Sequence, residues 1–268
     1  MTTIFTSDPH GTGDAWVNKV NSMYNKYPSA QLVFGGDYID GRNNSKQVLN
    51  YIRQMQNNHN AIVLIGNHDD MLKLFLSTND RYYYDGWRIN GANSTVKSLT
   101  GKRINYRTTY NNLINYQLYD GIKLLDWLNS LKLSYVNEDG CYIHAYVSLD
   151  SDDINENIKN TNRDNILWNR ELAEDNAHYH NNTNKSILFG HTPTCLFSLG
   201  NDEAKGLMQI EYKDENIFKQ SDECPIIETY REGKKSLIAC DGGCHGGDNY
   251  NTGNVVVVNK GKIIDWLN

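Results

Sequence analysis

Three times in the first seventy residues an apolar run ends in a cluster of polar side chains and then gives way to a stretch with helical spacing. Ile4-Phe5 leads into Ser7-Asp8-Pro9-His10-Gly11. Residues 31–35 lead into Gly36-Asp37-Tyr38-Ile39-Asp40-Gly41-Arg42, and residues 61–65 into Gly66-Asn67-His68-Asp69-Asp70. Behind each cluster apolar residues recur near a period of 3.6. They are Trp16, Val17, Val20, Met23, Tyr24 and Tyr27; then Val48, Leu49, Ile52 and Met55; then Met71, Leu72, Leu74 and Phe75. Asp14 is placed to cap the first of these helices. A β-loop-α unit repeated three times predicts a largely parallel sheet with right-handed crossovers. In such sheets functional groups collect outside the carboxyl ends of the strands.

The same reading extends to the rest of the chain. Residues 141–147 read as a strand containing His144, and residues 186–190 as a strand ending at His191. Residues 237–241, 255–258 and 262–266 read as antiparallel strands completing a second sheet. The tyrosine-rich segment 81–133 reads as a helical insertion or cap, so one mixed α/β domain over residues 1–268 is the economical organisation. A net charge of −6 opposes non-specific nucleic-acid binding, which depends on neutralising phosphates. No window approaches the roughly 18 apolar residues of a membrane span. MTTIFTSDPHG lacks the basic and apolar regions of a signal peptide. The expectation is a cytoplasmic protein whose five cysteines are free thiols.

The strand-end residues Asp8, His10, Asp37, Asn67, His144 and His191 form a mixed carboxylate, imidazole and amide set. That set suits Mn²⁺, Fe²⁺ or Zn²⁺ better than the all-oxygen preference of Mg²⁺ or Ca²⁺. Six ligands exceed the need of one catalytic ion and match two ions sharing a carboxylate. Asp37, on the middle strand, is the natural bridge. Two ions roughly 3.5–4 Å apart can hold a hydroxide and clamp phosphoryl oxygens for in-line displacement.

These motifs, in this order, resemble the calcineurin-like metallophosphoesterases. The set comprises Asp8-x-His10-Gly11, Gly36-Asp37-x-x-Asp40, Gly66-Asn67-His68-Asp69, His144-Ala145 and Gly190-His191-Thr192. Intervals of 29 residues from Asp8 to Asp37 and 30 from Asp37 to Asn67 fit as well. More narrowly the chain looks like the phosphoprotein phosphatase (PPP) family in its bacterial and bacteriophage form. Trp87-Arg88-Ile89-Asn90-Gly91, Leu167-Trp168-Asn169-Arg170 and residues 238–243 resemble elements of that branch.

The resemblance implies an α/β/β/α sandwich of four layers, with two mixed sheets and a helical insertion. It implies a first metal on Asp8, His10 and Asp37, and a second on Asp37, Asn67, His144 and His191. It implies His68 as the general acid with Asp40 holding its imidazolium, and Arg42, Arg170 and Asn67 on the substrate phosphate. Arg170 matches its family position directly. The family reads GDxxDRG where this chain has Gly41 before Arg42.

The function implied is a dinuclear-metal-dependent phosphomonoester hydrolase with two divalent ions, Mn²⁺ first and Fe²⁺ or Zn²⁺ as alternatives, acting on phosphoserine or phosphothreonine and open to phosphotyrosine. Attack would come directly from the metal-bridging hydroxide, on a phosphoprotein or small phosphoester. A symmetrical diadenosine tetraphosphate hydrolase is the alternative, since that branch shares the motifs but commonly lacks the second aspartate, here Asp40. A non-catalytic binding module on the same fold is the third reading. Outside this set, Cys240-Asp241-Gly242-Gly243-Cys244-His245 offers a zinc-like pattern but reads better as a glycine-rich loop near the active-site mouth. His178 and His180 read as solvated, and residues 82–84 with Trp87 as packing for the cap.

Overall fold

The computed structural model describes residues 1–174, 181–196, 214–218, 224–230, 233–246 and 252–267; His178 and His180 lie outside these. The first three units fold as β1 (Thr2–Thr6), α1 (Asp14–Lys26), β2 (Gln31–Phe34), α2 (Ser45–His59), β3 (Ile62–Val63) and α3 (Asn67–Thr78). β1, β2 and β3 are parallel neighbours. The cap of α1 is Gly13 and not Asp14, which is the first helical residue; the Asp14 carboxylate accepts from Gln47 Nε2 instead.

The second sheet runs in the order β4-β5-β6-β9-β8-β7. Its strands are β4 (Ser134–Val136), β5 (Cys141–Ile143), β6 (Ile187–Phe189), β7 (Asp214–Phe218), β8 (Ile226–Tyr230) and β9 (Leu237–Ala239). The chain tail divides between the sheets. β9 lies parallel to β6, but β10 (Val255–Asn259) and β11 (Lys262–Leu267) extend the first sheet, with β10 antiparallel to β1. The expectation that all three would complete the second sheet is thereby corrected. Four consecutive buried valines leave β10 no solvent face, so it needs a site covered on both sides.

Alternating side chains explain the layering. Ile4, Leu32, Phe34, Val255 and Val257 face the helices of the first sheet. Phe5, Val33, Val256 and Val258 face the other way, onto Tyr142, Leu188 and Ile238 of the second sheet. Cys141, Ile143, Ile187, Phe189, Leu237 and Ala239 cover its outer face, with Ile154 of α8 (Ile154–Asn160) and Leu172 of α10 (Glu171–Glu174). The result is an α/β fold of two mixed sheets between helices.

Within 81–133 lie α4 (Arg81–Ile89), α5 (Ala92–Thr100), α6 (Tyr106–Leu113) and α7 (Leu124–Ser130). Trp87, Val96, Leu113 and Trp127 join the same core cluster as Phe34 and Phe75; α4, α6 and α7 pack on α3, and α5 packs on α2. No helix among the described residues is long and apolar enough to cross a membrane.

The ring of Phe5 meets that of Tyr142 at 5.6 Å across the sheets, and both residues are fully buried. Phe5→Ala is expected to lower the unfolding free energy by about 3–5 kcal/mol in denaturant titration. A loss below about 1 kcal/mol would mean that the inter-sheet layer collapses around the gap.

Candidate metal centre and phosphoester site

The functional side chains sit where parallel strands of both sheets end. Asp8 and His10 follow β1, Asp37 and Asp40 follow β2, and Asn67 and His68 open α3 after β3. His144 follows β5 immediately, His191 follows β6, and Asp241 follows β9. The predicted strand at 141–147 stops before His144, whose backbone instead belongs to the strand-end loop. Asp8, His10, Asp37, Asp40 and His191 all have positive φ, between 40° and 68°. That conformation is uncommon for residues with a Cβ, and it gathers at functional sites where surrounding contacts over-determine it.

Two glycines make the close approach possible. A Cβ on Gly66 would lie 2.1 Å from Asp37 Oδ1, and one on Gly190 would lie 1.9 Å from Asp8 Oδ2. Neither position has room for any side chain.

Asp37 is the hub. His10 Nε2 lies 3.5 Å from its Oδ2, and His144 Nε2 lies 3.5 Å from its Oδ1. Asn67 Oδ1 is 2.8 Å from His144 Nε2 and 3.0 Å from His191 Nδ1. Among the described residues two groups could hold a cation: His10, Asp37 and His68, and Asp37, His144 and His191. Within each group the ligand atoms lie within 4.8 Å of one another. Asp8 turns its carboxylate to the His191 amide, which donates at 3.0 and 3.1 Å.

Each imidazole of the centre is fixed by a backbone carbonyl. His10 Nδ1 donates to Ile39 O at 2.9 Å, His144 Nδ1 to Gly35 O at 2.9 Å, and His191 Nε2 to Trp168 O at 3.1 Å. A neutral ring tied in this way presents the lone pair of its other nitrogen. Those lone pairs point at Asp37 and Asn67 oxygens, so acceptors face acceptors. A cation between them resolves the arrangement, and the residues present therefore fit divalent metal.

The electrostatics agree. Burial, followed by the neighbouring His68 and His245, lowers the His10 imidazole well below its ordinary value. Burial takes His144 down to about 3 and His191 down to about 2. Burial, then the charge of Asp241, raises the Asp8 carboxyl; burial, then Asp8, raises Asp37. A cation would take the neutral imidazoles as ligands and reverse the upward shift of the crowded carboxylates.

His68 differs from the other imidazoles in being held by a carboxylate and not by a backbone carbonyl. Its Nδ1 meets Asp40 Oδ2 at 2.8 Å, while Nε2 stands 4.0 Å from Asp37 Oδ2. Asp40 also accepts from Trp87 Nε1 at 3.0 Å and from Thr95 Oγ1 at 2.6 Å. Trp87 therefore does more than pack the cap, because its indole fixes the carboxylate that holds His68.

The two arginines diverge. Arg170 lines the pocket of about 340 Å³ with His10, Asp37, Asn67, His68 and His191. Its Nη1 donates to His191 O and Thr192 Oγ1. Arg42 does not line that pocket: its Nε donates to Cys244 O at 3.1 Å, and its amide to His10 O and Asp40 O. Gly41, with φ of 73°, turns the chain so that the shifted arginine braces the loop bearing His245.

Three residues were not singled out as site residues from the sequence. Asp69 accepts from the amides of Gly66, Asp37 and Tyr38 at 3.0, 2.8 and 3.2 Å. Asp241 and His245 line the pocket. The signal for Asp69 was its place at the third residue of α3, where a carboxylate reaches back to loop amides. Among the described residues Cys240, Cys244 and His245 do not converge as metal ligands.

The profile of the family described as calcineurin-like phosphoesterase matches residues 1–210. The chain belongs to that family. It is accordingly a metal-dependent phosphoester hydrolase. No curated protein sequence matches the phosphoesterase. The crystal structure of a candidate diadenosine tetraphosphatase superposes with a TM-score of 0.53 at 13% identity, covering 99% of this chain and 92% of that one, a likeness of fold. A serine/threonine phosphatase from Saccharomyces cerevisiae, similar to human phosphatase PP5, superposes at 0.43 with 16% identity over 72% of this chain and 61% of its own. The cold-active protein-tyrosine phosphatase of a Shewanella species does so at 0.47 with 14% identity, over 98% and 76%.

Burial raises the Asp241 carboxyl to about 7 from an ordinary 3.8. The folded chain thus binds this proton more tightly than the unfolded one. Stability from the group is full below its unfolded pKa and is lost as pH rises through the folded one. In EDTA, Asp241→Asn is expected to match wild type near pH 4 and to exceed it at pH 8 by on the order of a few kcal/mol, read by thermal unfolding. No gain at pH 8 would show that the carboxylate is compensated without metal.

Proposed function

We propose that the phosphoesterase is a serine/threonine phosphoprotein phosphatase whose clusters hold two divalent ions, Mn²⁺ first among them, with Fe²⁺ or Zn²⁺ as substitutes. When bound, such ions supply Lewis acidity and neutralise charge on the phosphoryl oxygens. The chain's own residues do the rest. Asp8, His10, Asp37, Asn67, His144 and His191 hold the centre, and Arg170 orients the phosphate by a guanidinium exposed in the pocket. In this proposal Arg42 braces the loop and Arg170 carries the phosphate contact.

The His68–Asp40 pair carries the reading. Asp40 fixes Nδ1 and leaves Nε2 facing the pocket, placed to give a proton to a departing oxygen. A serine or threonine alkoxide leaves poorly unless protonated. A nucleoside polyphosphate leaves as a stabilised anion and needs little help. A carboxylate anchored by a tryptophan and a threonine to serve one histidine is therefore best explained by an alcohol leaving group. A groove of about 1180 Å³ adjoins the pocket through Asn90 and Arg170 and gives space for more than a small ester.

In Mn²⁺-loaded protein with an EDTA control, a phosphothreonine peptide is expected to be hydrolysed in preference to diadenosine tetraphosphate. The opposite preference would move the enzyme to the dinucleotide reading. His68→Asn is expected to lower kcat on the peptide by about 10²–10⁴-fold with bound metal unchanged. Its effect on p-nitrophenyl phosphate, whose phenolate leaves readily, should be much smaller. Equal losses on both would remove His68 as the acid.

A further inference from the structure

His245 belongs to neither metal group, yet its ring forms the third corner of a triangle with His10 and His68. All three centroid separations are 4.9 Å. Unlike the other two it is exposed, so it stands on the mouth side of the pocket it lines. Its place is defined by three neighbours. Nε2 lies 3.2 Å from Asn90 O, at the end of α4. A Cβ on Gly91 would come within 3.3 Å of Nε2, and one on Gly41 within 3.0 Å of His245 Cα. Both glycines have positive φ, 105° and 73°, so their backbones suit the absence of a side chain that would crowd this ring. Arg42 braces the same loop from the other side through Cys244 O.

We propose that His245 is a specificity-determining residue that contacts the leaving-group side of a phosphopeptide. This inference rests on the phosphoprotein phosphatase reading. The ring adjoins His68, which serves the departing oxygen, and it is tied to Asn90, which lines both the catalytic pocket and the adjoining groove. A leaving group running from pocket to groove therefore passes His245. A carbonyl oxygen only accepts, so the neutral ring donates to Asn90 O through Nε2 and keeps Nδ1 as an acceptor. Among the described residues Nδ1 has no hydrogen-bond partner. A backbone N–H of the phosphorylated segment is a donor that suits it; an aryl phosphate offers none.

The test compares wild type with His245→Ala and His245→Phe on a phosphothreonine peptide and on p-nitrophenyl phosphate, with orthophosphate inhibition and bound Mn²⁺ measured in parallel. Phe keeps a ring and removes the acceptor. Both variants are expected to lower the peptide-to-aryl ratio of kcat/KM by about tenfold, mainly through KM on the peptide. Metal content and the orthophosphate inhibition constant should stay near wild type. Equal losses on both substrates, or a fall in bound metal, would make His245 a support of the centre and overturn the inference. A normal ratio in His245→Phe with a reduced one in His245→Ala would overturn the hydrogen bond and with it the peptide preference proposed. A wild type inactive on the peptide would overturn the underlying reading, and the inference with it.

Discussion

The carboxylate of Asp69 accepts three backbone N–H groups from two strand-end loops, and the geometry of the metal centre depends on it. By holding the amides of Asp37 and Tyr38 to that of Gly66, it draws the end of β2 against the start of α3. Only then can Gly66 lie so close to Asp37 that no Cβ fits between them. The His68 amide closes the same unit by donating to Asp37 Oδ1 at 2.9 Å. The hub carboxylate is thus fixed in direction before any cation binds. Burial raises the Asp69 carboxyl to about 7, while the same three amides pull it back. Its charge is therefore costly and useful at once: it organises a positive-φ turn that a neutral side chain would hold less firmly.

That cost recurs across the centre. Asp8, Asp37, Asp69 and Asp241 are buried together; after burial itself, the charges of the other three disfavour ionisation of Asp37, and those of Asp241 and Asp69 disfavour ionisation of Asp8. Three neighbouring imidazoles are kept neutral by burial. A set of groups selected for folding alone would pair these carboxylates with arginine or lysine. Here the strong charge pairs lie elsewhere, as between Arg163 and Asp70 at the edge of α3. Among the described residues a group of uncompensated buried carboxylates gathers at the convergence of strand ends, an arrangement that suits a divalent cation at the expense of the metal-free fold.

Much of this was legible in the sequence, for a physical reason. Period-2 and period-3.6 patterns mark strands and helices, and a parallel arrangement puts residues just after each strand at a common edge. Asp8, His10, Asp37, Asn67, His144 and His191 could be singled out because they lie at or near the ends of apolar runs and match the motifs of the family the chain resembles. What escaped depends on contacts without local pattern. The tail strands were assigned to the wrong sheet because alternation fixes a strand's faces and not its neighbour. Asp241 lies in a glycine-rich stretch that gives no periodic cue, and His245 acquires its place only when Gly41 and Gly91 come beside it. The displaced Arg42 shows the limit most directly. A one-residue exchange with glycine leaves the composition of the motif intact, and only the folded chain shows Arg42 Nε donating to the Cys244 carbonyl.

Reaction chemistry and substrate choice are consequently built from different materials in this molecule. The metal-facing groups come from strand ends fixed by two-sheet packing, so their positions are set by the core. The groups around the mouth come from α4, the loop after α9 (Arg163–Trp168) and the loop carrying His245. The Trp168 carbonyl joins the two at His191, and the Asp40 network joins them at His68. One oxygen pair receives the indole of Trp87 from α4 and the hydroxyl of Thr95 from α5, while it holds His68 at the centre. The helices of 81–133 are therefore coupled to His68 as well as to the groove. A change in how they pack would move His68 and reshape the groove together, because the carboxylate that orients this imidazole is anchored in the same layer that shapes the mouth.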